Sequence, residues 1–281
     1  MKMKKLKKRQ AKQPIKLTLI VLLLVLAWVV LQGTVLIKNQ EVVFDKTTQV
    51  SSSVTTRPKP KVVYVELPNA NKVVALEEDY KQDNSLWRIV SRNHPLNSQD
   101  YRPEVELANV ATWKQKSRDE QSVRPELQEP LSQMFADAKA VGYNLMIGSG
   151  FRSSQLQSTY YNNFVRTRGQ AYADKVSARP GTSEHQLGLA VDLAYTDQEC
   201  YLHTCFADTG AGKWLAANAH NYGFILRYPE GREDITGYQF EPWHFRYVGR
   251  DLALALYQSG LTFDEAEPHL LEAREDLGYK D

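Results

Sequence analysis

The stretch SARPGTSEHQLGLAVDL, residues 177–193, decides how the fold is read. Residues 189–193 alternate, with Leu189, Val191 and Leu193 on one face and Ala190, Asp192 and Ala194 on the other, because successive side chains of a strand point to opposite sides. The first face reads as core. On the second, an acid stands between two alanines whose small side chains leave room for something bound against the sheet. Gly188 permits a bend just before the strand. His185 can then curl back from the preceding loop toward Asp192, seven positions away.

A second stretch, GYQFEPWHFRYVG at 237–249, supplies a partner for this pair. Pro242 cannot donate to a ladder, so a strand is expected to begin there. It would carry Trp243, Phe245 and Tyr247 on one side and His244 and Arg246 on the other, with Glu241 at its mouth. Two imidazoles and one carboxylate, with a position left for water, form the ligand set of a catalytic zinc site. Zinc lowers the pKa of bound water to about 7, and Glu241, beside rather than on the metal, fits the base that takes its proton. Each residue also has a plainer reading. A single His is more often a hydrogen-bonded structural group, Asp192 could cap a turn, and Glu241 could be a surface acid. Yet an Asp inside an apolar alternation and a His on an aromatic-rich strand both need a reason to be buried. The residue pattern alone leaves the metal site and the structural readings open.

Around these stretches the periodicity predicts short elements of both kinds. After Pro125, Leu127, Leu131, Met134, Phe135 and Ala138 recur at helical spacing, and Gly142 stops the helix. A strand is expected at 144–147, breaking at Gly148, Ser149 and Gly150. Further helices are expected from about Ser153, at 212–221 and at 251–258, with strands at 224–226 and 243–248. Strands and helices are interspersed without the regular alternation of a doubly wound sheet, so the fold class is α+β, with a small, mainly antiparallel sheet and flanking helices.

The chain has 281 residues and a formal net charge of +2, but the eight Lys and Arg of residues 1–16 leave a formal −6 on the remainder. The uncharged run 17–37 is 21 residues long, enough at about 1.5 Å per residue to cross a hydrocarbon core of ~30 Å. It reads as a transmembrane anchor with the basic tail 1–16 on the cytoplasmic side and the rest of the chain outside. A cleaved signal peptide would have a shorter apolar region and a small-x-small cleavage site. Residues 38–68, rich in Thr, Ser, Lys and Pro, read as a linker. Residues 69–122 read as an extension packing on a main domain at 123–265, and 266–281 as a C-terminal tail. With the basic run beside the membrane and the rest mildly acidic, a nucleic-acid partner has little support. Cys200 and Cys205 are the only cysteines; in an oxidising compartment they read as a local disulfide rather than free thiols.

The segments SEHQLGLAVDL and EPWHFRYVG resemble those of the VanY-type zinc D-Ala-D-Ala carboxypeptidases. These belong to a wider group that includes the VanX dipeptidases, the lysostaphin-type enzymes and, by fold, the Hedgehog signalling domain. The family pattern S-x-H-x(6)-D followed by E-x-x-H reads here as Ser183, His185, Asp192, Glu241 and His244, and the likeness spans about residues 120–260. The resemblance implies one zinc ion held by His185, Asp192 and His244, with Glu241 as the base, acting on peptidoglycan stem peptides. It also implies that Arg152, in GSGFRSSQLQ (148–157), polarises the scissile carbonyl or holds the substrate carboxylate, a role suited to a planar, permanently charged fork. Ser183 would bind the terminal carboxylate and Gln157 would line the pocket; Phe151 stands where a Tyr is more usual. The competing readings are an L,D-carboxypeptidase on tetrapeptide stems, an endopeptidase with an open groove, and a non-catalytic wall-binding module of the same fold. The last has no need of Glu241. Oligomeric state is not legible.

Overall fold

Residues 61–280 are described by a computed structural model. The basic tail, the apolar run and most of the linker lie outside the described residues, among which no helix is long and apolar enough to cross a membrane. The strands in chain order are β1 (Val63–Glu66), β2 (Val73–Leu76), β3 (Glu106–Leu107), β4 (Ser122–Val123), β5 (Leu145–Ser149), β6 (Ala190–Tyr195), β7 (Phe224–Leu226) and β8 (His244–Tyr247). The α-helices are α1 (Gln128–Ala140), α2 (Ser154–Arg168), α3 (Gln170–Val176), α4 (Gly210–Asn218), α5 (Glu233–Thr236), α6 (Arg250–Ser259) and α7 (Glu267–Leu277).

The central sheet is antiparallel, with order β5-β6-β8-β7. Val191, Leu193 and Phe245 turn one face of it onto Leu131 and Met134 of α1 and Phe206 and Leu215 near α4. That face is the core expected from the alternation. The other face is also closed: Ala190, Asp192 and Ala194 are as buried as their neighbours. In the middle of the sheet Asp192 pairs with His244 on one side and with Ser149 on the other, where a register shift between Ile147 and Ser149 bends β5. Helix α2 follows at once, its first turn capped by the Ser153 side chain, which accepts from Leu156 N.

A 3-10 turn at Glu184–Leu187 precedes β6 and ends on Gly188, whose φ of 69° is the left-handed conformation a glycine adopts at little cost. The turn is tied to the sheet by charge. The Glu184 carboxylate receives Arg227 Nε at 2.7 Å and Arg246 Nη1 at 2.9 Å, and all three side chains are shut away from solvent. Arg246 Nη2 also donates to the carbonyls of Leu86 and Arg88, both at 2.9 Å, fastening the segment before β3 to the sheet. Asp264 takes the remaining donors of Arg227.

Two boundaries differ from the sequence reading. Strand β1 begins inside the segment read as linker, and pairs with β2 so that Val65 faces Val74. Residues 266–281, read as a tail, contain α7, whose Leu270 and Ala273 join Val65, Leu76, Leu252 and Leu256 in a second core. Arg274 of α7 donates to Asp79 at 2.7 Å, with both side chains largely buried. A four-residue strand is too short to show a period, and the acids that dominate α7 mask its apolar positions.

Leu270→Ala is therefore expected to cost about 2–5 kcal/mol of unfolding free energy by denaturant titration, where a true tail residue would change it by no more than about 0.5 kcal/mol. Glu184→Ala leaves the buried Arg246 without an acid and takes one of two from Arg227, and is expected to cost about 3–5 kcal/mol in the same measurement. A neutral result for either substitution contradicts the packing described.

Candidate active site and metal centre

Three elements bring the site together. The bend after β5 supplies Arg152, the 3-10 turn supplies His185, and the paired strands β6 and β8 supply Asp192 and His244. His185 Nδ1 lies 2.7 Å from the carbonyl oxygen of Gly150. A carbonyl can only accept, so Nδ1 carries the proton and Nε2 presents its lone pair. That Nε2 lies 3.3 Å from Asp192 Oδ1, and His244 Nδ1 approaches the same oxygen at 3.4 Å. The far nitrogen of His244, Nε2, faces Glu184 Oε2 at 3.5 Å. A carboxylate or carbonyl behind each imidazole is the usual support of a metal-ligating histidine.

The two oxygens of Asp192 differ in their surroundings. Oδ2 takes the guanidinium of Arg152, whose Nε also donates to Ser149 Oγ at 2.9 Å. Oδ1 is buried with no hydrogen-bond partner, although it sits between two imidazoles. A bare anionic oxygen in the interior is costly unless a cation or a donor meets it. Two ligands each about 2.0–2.1 Å from a tetrahedral ion stand roughly 3.3–3.4 Å apart, which matches the observed spacings. His185, Asp192 and His244 offer ligand atoms that all lie within 4.8 Å of one another, and all three are buried. The residues present fit a small tetrahedral cation such as zinc.

Glu241 stands at the lip of this cluster. Its backbone N–H donates to Tyr228 O at 3.0 Å and its carbonyl accepts from His244 N at 3.0 Å, a turn that leaves Oε2 3.5 Å from His244 Nδ1. Its side chain remains 15% exposed, against 2% for Asp192, so Glu241 alone of the acids here reaches water. Burial pushes its carboxyl up to about 7, against the pull of His244. Burial works against charge on His244 too, but the carboxylates of Asp192, Glu184 and Glu241 outweigh it and raise the ring to about 9. His185 goes the other way, lowered by burial and by the Arg152 charge, and stays the neutral base a metal requires. Asp192 is held well below the usual carboxylate range, its burial overcome by His185 and Arg152.

The cluster forms the floor of a pocket of about 520 Å³ that also takes in Ser183 and Gln157. Ser183 is buried at the start of the 3-10 turn. Gln157 is buried in α2, donating to Ser177 Oγ at 3.1 Å and Ala178 O at 2.8 Å, while its Oε1 has no partner. Phe151 points away into the interior with the Arg102 guanidinium 4.6 Å over its ring. Cys200 and Cys205 are bonded to each other in the loop after β6.

Several residues were not picked out from sequence. Glu184 occupies the unspecified position of the S-x-H pattern, and Arg227 lies 43 residues away with no local motif to mark it. Arg246 shares the face of His244 in the sequence pattern, but its pairing with the buried Glu184 appears only in the folded sheet. Tyr201, Tyr228 and Tyr238 of the pocket wall carry no local pattern at all.

Known proteins resemble this chain in sequence and fold. The model of the VanY D-alanyl-D-alanine carboxypeptidase family matches residues 120–250. VanXYC of Enterococcus gallinarum, a bifunctional D-Ala-D-Ala dipeptidase and D-Ala-D-Ala carboxypeptidase, is 32% identical over 187 residues, covering 66% of this chain and 95% of that protein. Among solved structures, the LD-carboxypeptidase LdcB superposes with a TM-score of 0.61 at 37% identity, over 64% of this chain and 85% of that one. The vancomycin-resistance D,D-pentapeptidase VanY, solved in complex with Zn(II), superposes with a TM-score of 0.54 at 30% identity, over 64% of this chain and 98% of that one. With the α+β fold, the site segments and this extent of similarity in agreement, the chain belongs to the VanY family of D-alanyl-D-alanine carboxypeptidases.

Proposed function

We propose that the protein is a zinc-dependent carboxypeptidase that removes the C-terminal D-alanine of peptidoglycan stem peptides ending in D-Ala-D-Ala. The observation that carries this reading is the bare Asp192 Oδ1, flanked by imidazole nitrogens at 3.3 and 3.4 Å, with the partly exposed Glu241 beside it. Family membership and the Zn(II) complex of the related VanY support it.

In this reading His185, Asp192 and His244 hold one zinc ion. When bound, zinc supplies a Lewis acid that makes water a nucleophile near neutral pH and polarises a carbonyl. Glu241 takes the proton of the attacking water and returns it to the departing amine, a transfer its position at the wet edge of the cluster allows. A dication alongside lowers its carboxyl from the value it has in the metal-free cluster. Arg152, fixed by Asp192 and Ser149, points a permanent charge along the pocket wall, where it meets a substrate carbonyl or carboxylate oxygen. Ser183 and Gln157, both buried, mark the closed end that receives the terminal residue.

The apolar run 17–37 with its basic flank supports a single-pass anchor, cytoplasmic N-terminus and extracytoplasmic domain. Stem peptides are met on that side of the membrane. The likeness to LdcB, an LD-carboxypeptidase, favours a second reading, in which the same machinery shortens a tetrapeptide stem.

Incubating the zinc-loaded protein with purified pentapeptide and tetrapeptide stems, followed by mass spectrometry, separates these readings. Loss of one D-Ala from the pentapeptide is expected, abolished by a chelator and restored by zinc. Glu241→Gln is expected to lower kcat by about 10²–10⁴-fold. Shortening of the tetrapeptide alone would select the L,D reading, and no cleavage of either by metal-loaded protein would overturn both.

A further inference from the structure

The loop between β6 and the 3-10 turn at Thr204–Asp208 has a geometry that the metal chemistry does not explain. Three of its non-glycine residues adopt left-handed backbone, with φ of 65° at Gln198, 55° at Cys200 and 53° at Leu202. Such a conformation persists only where surrounding structure over-determines it. Two fastenings do so here. Cys200 and Cys205 are covalently joined across the tip. The ring of Tyr201 is pressed onto β5 at Gly148, where a Cβ would stand 2.2 Å from the ring, and meets Trp113 edge-on at 4.7 Å between centroids. Between the fastenings, Leu202, His203 and Thr204 line the pocket and are exposed.

Exposure places these three at the outer rim, opposite in character to the buried Ser183 and Gln157. A carboxypeptidase seats the chain end in the closed part of its pocket, and the preceding residues leave through the open part. The rim therefore meets the upstream residues of the substrate and not its terminal dipeptide.

We propose that the Cys200–Cys205 loop is the specificity rim of the site. The disulfide and the Tyr201 anchor hold Leu202, His203 and Thr204 in place to bind the stem peptide upstream of the scissile bond. This rests on the carboxypeptidase reading and adds to it the part of the substrate these residues select. The cysteines are positioning residues: they act through the rim on substrate affinity and leave the metal-site chemistry alone. Reducing the bond with a phosphine consumes one water: the phosphine gives up two electrons and takes the water's oxygen to become its oxide, and the water's two protons go to the two thiols. It releases the covalent fastening and leaves His185, Asp192 and His244 untouched.

The test compares oxidised full-length protein, the same protein treated with tris(2-carboxyethyl)phosphine, and the double variant Cys200→Ser/Cys205→Ser, all zinc-loaded. Steady-state kinetics use whichever stem peptide the oxidised protein cleaves. In the Glu241→Gln background, calorimetry measures Kd for the pentapeptide and tetrapeptide stems and for the C-terminal dipeptide of each. Opening the disulfide is expected to raise KM and the long-peptide Kd about tenfold, with kcat within twofold and the dipeptide Kd unchanged. His203→Ala and Leu202→Ala in the oxidised protein are each expected to reproduce part of the long-peptide loss. Equal loss for long peptide and dipeptide, as a merely structural disulfide would give, overturns the proposal, and so does no loss for either. If oxidised protein cleaves a stem peptide and either of these patterns follows, the rim assignment fails while the peptidase reading stands. If it neither cleaves nor binds any of the peptides, both fall.

Discussion

Asp192 meets His244 because β6 and β8 pair antiparallel with these two residues opposite each other, and everything at the candidate metal site follows from that register. A strand has a side-chain period of two, so a slip of one residue would turn Asp192 into the apolar core and bring Val191 or Leu193 to the site. Val191, Leu193 and Phe245 forbid it. Each is fully buried on the core face, and a slip would drive the Asp192 carboxylate into that apolar layer away from Arg152, which a charged group strongly resists. The hydrophobic pattern of two short strands thus fixes a polar geometry on their opposite face.

The charges around this frame are distributed unevenly. Glu184 is buried with Arg227 and Arg246 both on its Oε1, while its Oε2 faces His244 Nε2 at 3.5 Å. A buried ion network of this kind contributes little net stability compared with an apolar replacement, but removing one member is costly. It acts here to hold the turn carrying His185 and to back the ring of His244. Asp192 is answered on one oxygen only, and Glu241 sits in a place that resists its ionisation. Asp192 Oδ1 is left without a hydrogen bond between two imidazole nitrogens, a donor set that a dication would complete.

Much of this was legible in the sequence, for physical reasons that differ by element. Helix α1 showed through because Leu127, Leu131, Met134 and Ala138 must all face one core. Strand β6 showed through because its alternation is strict, and Gly188 because its left-handed bend tolerates few other residues. The alternation suggested that Asp192 faced a bound group, but two buried faces of the sheet could not be told from one. The convergence of His185 with His244 was readable only through the spacing shared with a known family, since no local rule relates residues 59 positions apart. What stayed hidden was non-local or too short: the Arg227–Glu184 contact, the strand β1, and α7, whose core positions are scattered among acids. The segment 196–205 offered its two cysteines to sequence reading but not the seat of Tyr201 on Gly148, which only the folded sheet creates.

The central claim is that His185, Asp192 and His244 together hold one zinc ion. X-ray absorption at the zinc edge, with metal stoichiometry measured on the same sample of purified protein, tests it most directly. The account expects one zinc per chain, ligated only by nitrogen and oxygen at about 2.0–2.2 Å, with occupancy lost in Asp192→Ala and retained in Glu241→Gln. Zinc ligated by sulfur, or zinc retained at full occupancy after Asp192→Ala, would contradict it.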